Sequence, residues 1–176
     1  MKKLCILILP VLLALSCQEG KKKSYKPQSL GAINTVAVVM DNALWEGPVG
    51  DRVRRYFASP LIGLTWDEPR FSLEHMPPSV FRGTTRHRRA VLFVNKDSVT
   101  GAQVRDDLYA APQKVGVFKA PTDSALLEVI DTYAGQVMSE IRNMELEEAQ
   151  ERFLRSLSKE TILQEKFGIS LRLPSL

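Results

Sequence analysis

Residues 121–144, PTDSALLEVIDTYAGQVMSEIRNM, decide the fold because they predict a long helix that needs a sheet to lie on. Thr122 is a good N-cap, and Asp123 in the first turn suits the positive end of the helix dipole. Large apolar side chains then recur three or four residues apart, at Leu126, Ile130, Tyr133, Val137, Ile141 and Met144. This spacing predicts an amphipathic helix of about five turns with one apolar face.

Runs rich in β-branched residues predict the sheet. The clearest is AVLFVN at residues 90–95, which is apolar enough to form a buried strand. The predicted strands comprise residues 34–40, 70–74, 90–95, 113–119 and 169–173. Residues 96–111 are mostly polar, and we expect them to form a long loop.

Three further helices are expected around these strands. Pro48 suits the first turn of a helix, so residues 49–58 should be helical. Apolar residues at helical spacing predict two more helices, over residues 145–157 and 159–167. The order β-α-β-β-β-α-α-β predicts a single α+β domain over residues 34–176, in which helices cover a mostly antiparallel sheet.

The first seventeen residues, MKKLCILILPVLLALSC, have the composition of a secretory signal. Lys2 and Lys3 precede an apolar run over residues 4–15. As a helix, that run would be about 18 Å long, well short of the ~30 Å hydrocarbon core of a bilayer. Residues 1–16 are therefore predicted to be a cleavable leader and not a transmembrane anchor.

Cys17 follows the predicted cleavage site, and two interpretations of it are open. Ordinary cleavage after Ser16 would leave a free thiol on an exported protein. Alternatively, residues 14–17, ALSC, resemble a bacterial lipobox, in which the cysteine sulfur receives a diacylglycerol. We favour lipidation, because Cys17 is the only cysteine left after cleavage and an exposed unpaired thiol is unusual in an exported protein. This predicts a cell-envelope protein held by its lipid at the outer membrane, on the periplasmic face or the cell surface.

Residues 17–33 are predicted to be a flexible basic tether that begins with the acylated cysteine. Its central part, QEGKKKSYKPQSLG at residues 18–31, has almost no apolar content and would span roughly 20 Å as a coil. Its lysines could lie against anionic headgroups, or the segment could simply be a solvated linker. Without residues 1–16 the formal net charge falls from +4 to +2, which gives no general case for nucleic-acid binding.

Three blocks of the sequence resemble a known family. They are VVMDNALWEGPVGDRVRRYFASPLIGLTWDEPRF at residues 38–71, HRRAVLFV at residues 87–94 and KFGISLRLP at residues 166–174. These blocks are similar to the domain of unknown function 4837 family, Bacteroidota-type envelope lipoproteins of unassigned activity. The resemblance implies a lipidated Cys17 and supplies no catalytic residues. It also implies that the chain corresponds to the first half of such proteins, so that Leu176 could end a truncated product.

The sequence offers little material for catalysis or cofactor binding. His75 and His87 are the only histidines, so a zinc site of His and Cys ligands would lack ligands after cleavage. Both histidines together with Asp67 or Glu68 would be the alternative metal site. No nucleophile elbow, dinucleotide fingerprint or Walker loop is present. We therefore predict no metal, no cofactor and no enzymatic activity.

Two groups of residues are candidates for ligand contact. Asp41 ends the first predicted strand, a usual place for ligand contacts in α/β sheets, and Trp45 could stack on a sugar. The alternative is an aspartate that caps a turn and a tryptophan that packs in the fold. Arg86, Arg88 and Arg89 could bind phosphate groups. Alternatively, their charge protects the adjacent apolar strand from aggregation.

From these features we expect a lipid-anchored, non-enzymatic envelope protein that works by binding or scaffolding. Its expected partners are the membrane, through Cys17, and an envelope protein or an anionic glycan, whereas export argues against nucleic acid. The rival interpretation is an envelope hydrolase that acts on glycan or peptide. Its acids and bases would be Asp41, Asp67, Glu68 and His75. A third interpretation is a truncated remnant without a function of its own.

Overall fold

The structure is a computed structural model, and it describes residues 25–63, 65–158 and 161–172. The strands are β1 (Thr35–Val39), β2 (Ser72–Met76), β3 (Ala90–Lys96), β4 (Gly101–Asp106) and β5 (Lys114–Ala120). The helices are α1 (Asn42–Glu46), α2 (Pro48–Phe57), α3 (Asp123–Arg155) and α4 (Ile162–Phe167), and two 3-10 turns span Pro78–Val80 and Gly83–His87. The predicted leader, Cys17 and the first part of the tether lie outside the described residues.

The five strands form one mixed sheet in the order β2-β1-β3-β5-β4. β1 is parallel to β2 and to β3, β3 is parallel to β5, and the edge strand β4 is antiparallel to β5. The combination of helices and strands is confirmed, but the prediction of a mostly antiparallel sheet is wrong. The connections explain the difference. α1 and α2 return the chain from β1 to a parallel β2, and residues 77–89 are long enough to cross to a parallel β3.

Other elements also differ from the prediction, which places only one helix between the first two strands and therefore lacks α1. β4 lies within the residues expected to form a loop, because its half-exposed, polar residues give only a weak strand signal. The helices predicted over residues 121–144 and 145–157 are one helix, α3, of 33 residues, since no glycine or proline separates them. Residues 169–172, predicted to begin a final strand, form no strand, and Leu173 lies outside the described residues.

The main core lies between one face of the sheet and helices α2 and α3. The stripe predicted for α3 forms much of it, except that Tyr133 is 40% exposed. Buried side chains from the strands and the two helices include Val36, Val38, Leu92, Val94, Phe118, Val53, Phe57, Ile130, Val137 and Ile141. Gly116 in β5 permits this close packing, because a Cβ at that position would lie 2.7 Å from Cγ1 of Val137.

A smaller core lies on the opposite face of the sheet. Phe81, between the two 3-10 turns, packs edge-on against Phe93 and Tyr109, with ring centroids 4.9 Å and 5.5 Å away. These contacts place the second 3-10 turn beside the connection between β4 and β5, at the amino ends of β3 and β5.

No described helix combines the length and the apolar content that a membrane-spanning segment needs.

Candidate functional site

An open groove of about 410 Å³ lies beside the 3-10 turn Gly83–His87. Its lining includes two aromatic and three basic residues, which are Tyr25, Tyr109, Lys26, Arg86 and His87. None of the described residues that line it is acidic. An anion would therefore meet cationic side chains there without competition from a lining carboxylate. We call this site the basic groove.

The Arg86 guanidinium uses one of its three nitrogens in a hydrogen bond to a described residue, and the other two are available to a ligand. Its Nε donates a hydrogen bond to the carbonyl of Phe81 at 3.3 Å, and its guanidinium carbon lies 5.5 Å from the centroid of the Tyr109 ring. Among the described residues, no acceptor pairs with the terminal amino groups of this exposed side chain. A guanidinium in this state can receive a carboxylate or a phosphate through two parallel hydrogen bonds.

Gln113 is buried and joins the two walls of the basic groove. Its Nε2 donates to the carbonyl oxygens of Arg86 and Arg88, both at 2.7 Å. Its Oε1 accepts a hydrogen bond from the backbone N–H of Tyr109 at 2.8 Å. The satisfied amide therefore holds the 3-10 turn and the β4–β5 connection together. Sequence reasoning missed Gln113, since a single glutamine before a strand forms no recognisable pattern.

The chain enters the domain along the same groove. The backbone N–H of Ser29 donates to the carbonyl of Ala111 at 3.2 Å, and the N–H of Ala111 donates to the carbonyl of Pro27 at 2.9 Å. Lys26 Nζ donates to the carbonyl of Asp107. Residues 26–29, which the sequence assigns to the tether, are thus docked on the folded domain and help to form the basic groove.

The three arginines predicted for ligand contact occupy three different environments. Arg86 lines the basic groove, whereas Arg88 forms a surface ion pair with Glu74, 2.6 Å between Nη2 and Oε2. Arg89 is buried and pairs with Glu145 at 2.9 Å. The structure therefore places only Arg86 of the three in the groove.

Asp41 and Trp45 lie at the opposite end of the sheet, after the carboxyl end of β1. Asp41 is exposed and occupies the N-cap position of α1, where its side chain makes no capping hydrogen bond. The Trp45 ring is stacked on His75, with centroids 4.7 Å apart and planes 1° from parallel. The guanidinium carbon of Arg54 lies 4.4 Å from the Trp45 centroid. Much of the ring surface that would receive a sugar is thus in contact with neighbouring side chains.

The acids and bases of the hydrolase interpretation are not joined in the described part of the chain. His75 Nε2 lies 2.9 Å from the carbonyl of Met40. Asp67 and Glu68 are exposed in the connection between α2 and β2, and no hydrogen bond links their side chains or Asp41 to His75. Within the described ranges, no group of three His, Cys, Asp or Glu residues could hold a metal ion.

A family described as "Domain of unknown function (DUF8532)" matches residues 29–154, more than two thirds of the chain. No curated protein and no solved structure matches the sequence. The resemblance to the domain of unknown function 4837 family is therefore wrong, because the match is to a different domain. The matched range contains the whole sheet, together with Arg86 and Tyr109 of the basic groove. The chain belongs to the DUF8532 family, whose function is unknown.

Proposed function

We propose that the chain is a lipid-anchored cell-envelope protein that binds an anionic glycan in the basic groove and has no enzymatic activity. The observation that carries the proposal is the exposed guanidinium of Arg86, which lies beside the Tyr109 ring in a groove without lining carboxylates. An acidic sugar presents an apolar C–H face, which packs on aromatic rings, and a charged group, which pairs with a guanidinium. The basic groove supplies a partner for each.

The dimensions of the groove suit a short part of a longer glycan. Its volume of about 410 Å³ falls within the range typical of small-molecule sites, roughly 300–1,000 Å³. Tyr25 at its rim is 90% exposed, so its ring is available to a ligand. Because the groove is open, sugar residues beyond those bound could extend into solvent.

The predicted anchor would bring the groove close to the membrane. Seven residues separate Cys17 from Tyr25 in the sequence, and the eight steps from one Cα to the next span at most about 29 Å when the chain is fully extended. Acylation of Cys17 would therefore hold the basic groove within reach of headgroups and of the glycans attached to them. In the sequence, Lys21, Lys22 and Lys23 come between Cys17 and Tyr25 and add positive charge to this segment.

Isothermal titration calorimetry on the full-length protein, purified from membranes in a neutral detergent, tests the proposal. We expect a galacturonic acid oligomer to bind and a glucose oligomer of the same length not to bind. Arg86→Gln should weaken binding about tenfold or more, because it removes a charge-assisted pair. Arg88→Gln is the matched control, because Arg88 already pairs with Glu74. The affinity of this variant for the acidic oligomer should stay within about twofold of that of the unmodified protein. Equal binding of both oligomers, or an unchanged affinity in Arg86→Gln, would refute the proposal.

A further inference from the structure

A second basic cavity lies on the helical side of the sheet, between the start of β2 and the middle of α3. Its volume is about 200 Å³, and its lining residues are Arg70, Phe71, Gly135, Met138, Ser139 and Arg142. None of these described residues is acidic. The cavity shares no lining residue with the basic groove, so the two sites can be tested separately.

Arg70 presents a buried donor without an acceptor. Its Nε is shielded from solvent and has no hydrogen-bond partner among the described residues. Its backbone N–H, by contrast, donates to the carbonyl of Ser59 at 2.9 Å, so the main chain at this position is fixed. Because buried polar groups in folded proteins are nearly always hydrogen-bonded, this guanidinium lacks an acceptor that the described residues do not supply and that a bound anion can supply.

The α3 side of the cavity adds a second guanidinium and a hydroxyl. Four lining residues share one face of α3, because their spacing follows the helical repeat. They are Gly135, Met138, Ser139 and Arg142. Arg142 is exposed, and no described carboxylate forms an ion pair with it or with Arg70. A Cβ added at Gly135 would meet no atom within 4 Å, so the missing side chain helps to leave the space open.

We infer that this cavity binds a tetrahedral oxyanion, either free phosphate or the phosphoryl group of a phosphomonoester. Two arginines can surround such an ion with several parallel N–H···O hydrogen bonds, and the Ser139 hydroxyl can donate one more. The cavity is large enough for the anion and too small for an extended glycan, which distinguishes it from the basic groove. An anion held there would connect the start of β2 to α3.

Isothermal titration of the full-length protein with inorganic phosphate and with O-phosphoethanolamine tests the inference. We expect saturable binding of at least one probe, weakened about tenfold or more in Arg142→Gln. Arg142 is exposed, so this change should not impair folding. Gly135→Leu should abolish binding by filling the cavity while both arginines remain. If inorganic phosphate alone binds, the cavity is a site for the free ion. If both probes bind, the cavity is a site for the phosphoryl group of a larger ligand.

Two control variants separate this site from general electrostatics and from the basic groove. Arg155→Gln changes an α3 arginine that pairs with Glu151, and Arg86→Gln changes the proposed glycan site; both should bind phosphate as the unmodified protein does. The inference is overturned if neither probe binds below roughly 10 mM. It is equally overturned if Arg142→Gln and Gly135→Leu leave the affinity unchanged. A failure of glycan binding in the groove would not affect this result.

Discussion

Arg89 and Glu145 form an ion pair inside the protein, with 2.9 Å between Nε and Oε1 and only 1% of each side chain exposed. Each side chain of the pair also forms hydrogen bonds to the backbone. Arg89 Nη2 donates to the carbonyls of Gly31 and Ala32, at 3.2 Å and 2.9 Å, and Glu145 Oε2 accepts from the backbone N–H of Asn34 at 3.1 Å. The pair therefore joins the entering chain, the start of β3 and helix α3.

Arg89→Met should destabilise the protein by about 3–5 kcal/mol, because it leaves the Glu145 carboxylate buried without a partner. Arg88→Met is a control from the adjacent position, and it should cost about 1 kcal/mol or less because the Arg88–Glu74 pair is partly exposed. Urea denaturation monitored by circular dichroism measures both. The double variant Arg89→Met/Glu145→Met should recover much of the loss, since no lone charge remains buried. A loss in Arg89→Met no larger than that in Arg88→Met would contradict the assigned role.

Gly116→Ala should destabilise the protein by about 1–3 kcal/mol through overpacking of the main core. The new Cβ would lie 2.7 Å from Cγ1 of Val137 and 3.1 Å from Cδ1 of Leu92, so α3 would have to move away from the sheet. Gly135→Ala is the matched control within α3, where the added methyl group meets nothing. It should stabilise the helix by roughly 0.5–1 kcal/mol. Equal unfolding midpoints for the two variants would show that the helix does not approach the sheet this closely.

These core features show which part of the fold the sequence can predict. Apolar periodicity predicts β3, β5, α2 and most of α3, because burial of one face imposes a spacing that is visible in the residues themselves. Strand direction leaves no such pattern. It depends on whether a connection crosses the sheet, and the 3-10 turns of residues 77–89 have no strong sequence signal. β4 was missed for a related reason, since an edge strand with polar residues resembles a loop.

Only the positive charge of the candidate site can be predicted from the sequence, and its geometry cannot. The run RHRR at residues 86–89 indicates positive charge, but neighbouring residues in a turn and a strand point in different directions. That difference in direction places Arg86 in the basic groove and Arg89 in the core. The sequence does not distinguish the two positions, because both are arginine. Gln113 and Tyr109 come from another part of the chain, and the paired β strands bring them to the groove.

The stability of the α2–α3 contact should depend on pH through Asp131. Its carboxylate accepts hydrogen bonds from Arg52 and, at 3.1 Å, from the Tyr56 hydroxyl. The hydrogen bond from Arg52 is the main cause that holds the pKa of Asp131 below its usual value of 3.8. A carboxyl whose pKa is lower in the folded state stabilises the fold above its unfolded-state pKa. That contribution is lost as the pH falls through the folded-state value.

Asp131→Asn should therefore be less stable than the unmodified protein near neutral pH, and the difference should shrink below about pH 4. Urea unfolding midpoints measured between pH 6 and about pH 2.5 follow this change. Glu128→Gln is the control, because this exposed residue of α3 has no side-chain hydrogen bond in the described structure. A stability difference for Asp131→Asn that stays constant across the whole pH range would contradict the assignment.

Cys17→Ser should abolish acylation and release the protein from the membrane fraction, if the residue is lipidated as the sequence predicts. The measurement is incorporation of radiolabelled palmitate in the native host, followed by separation of membranes. Cys5→Ser is the matched control, because Cys5 lies in the predicted leader and should leave the label unchanged. One acyl chain binds a membrane only weakly and two or three bind it stably, so loss of the label and loss of membrane association should occur together. Label retained in Cys17→Ser would place the lipid elsewhere. An unlabelled protein whose Cys17 thiol reacts with maleimide would instead support ordinary cleavage after Ser16.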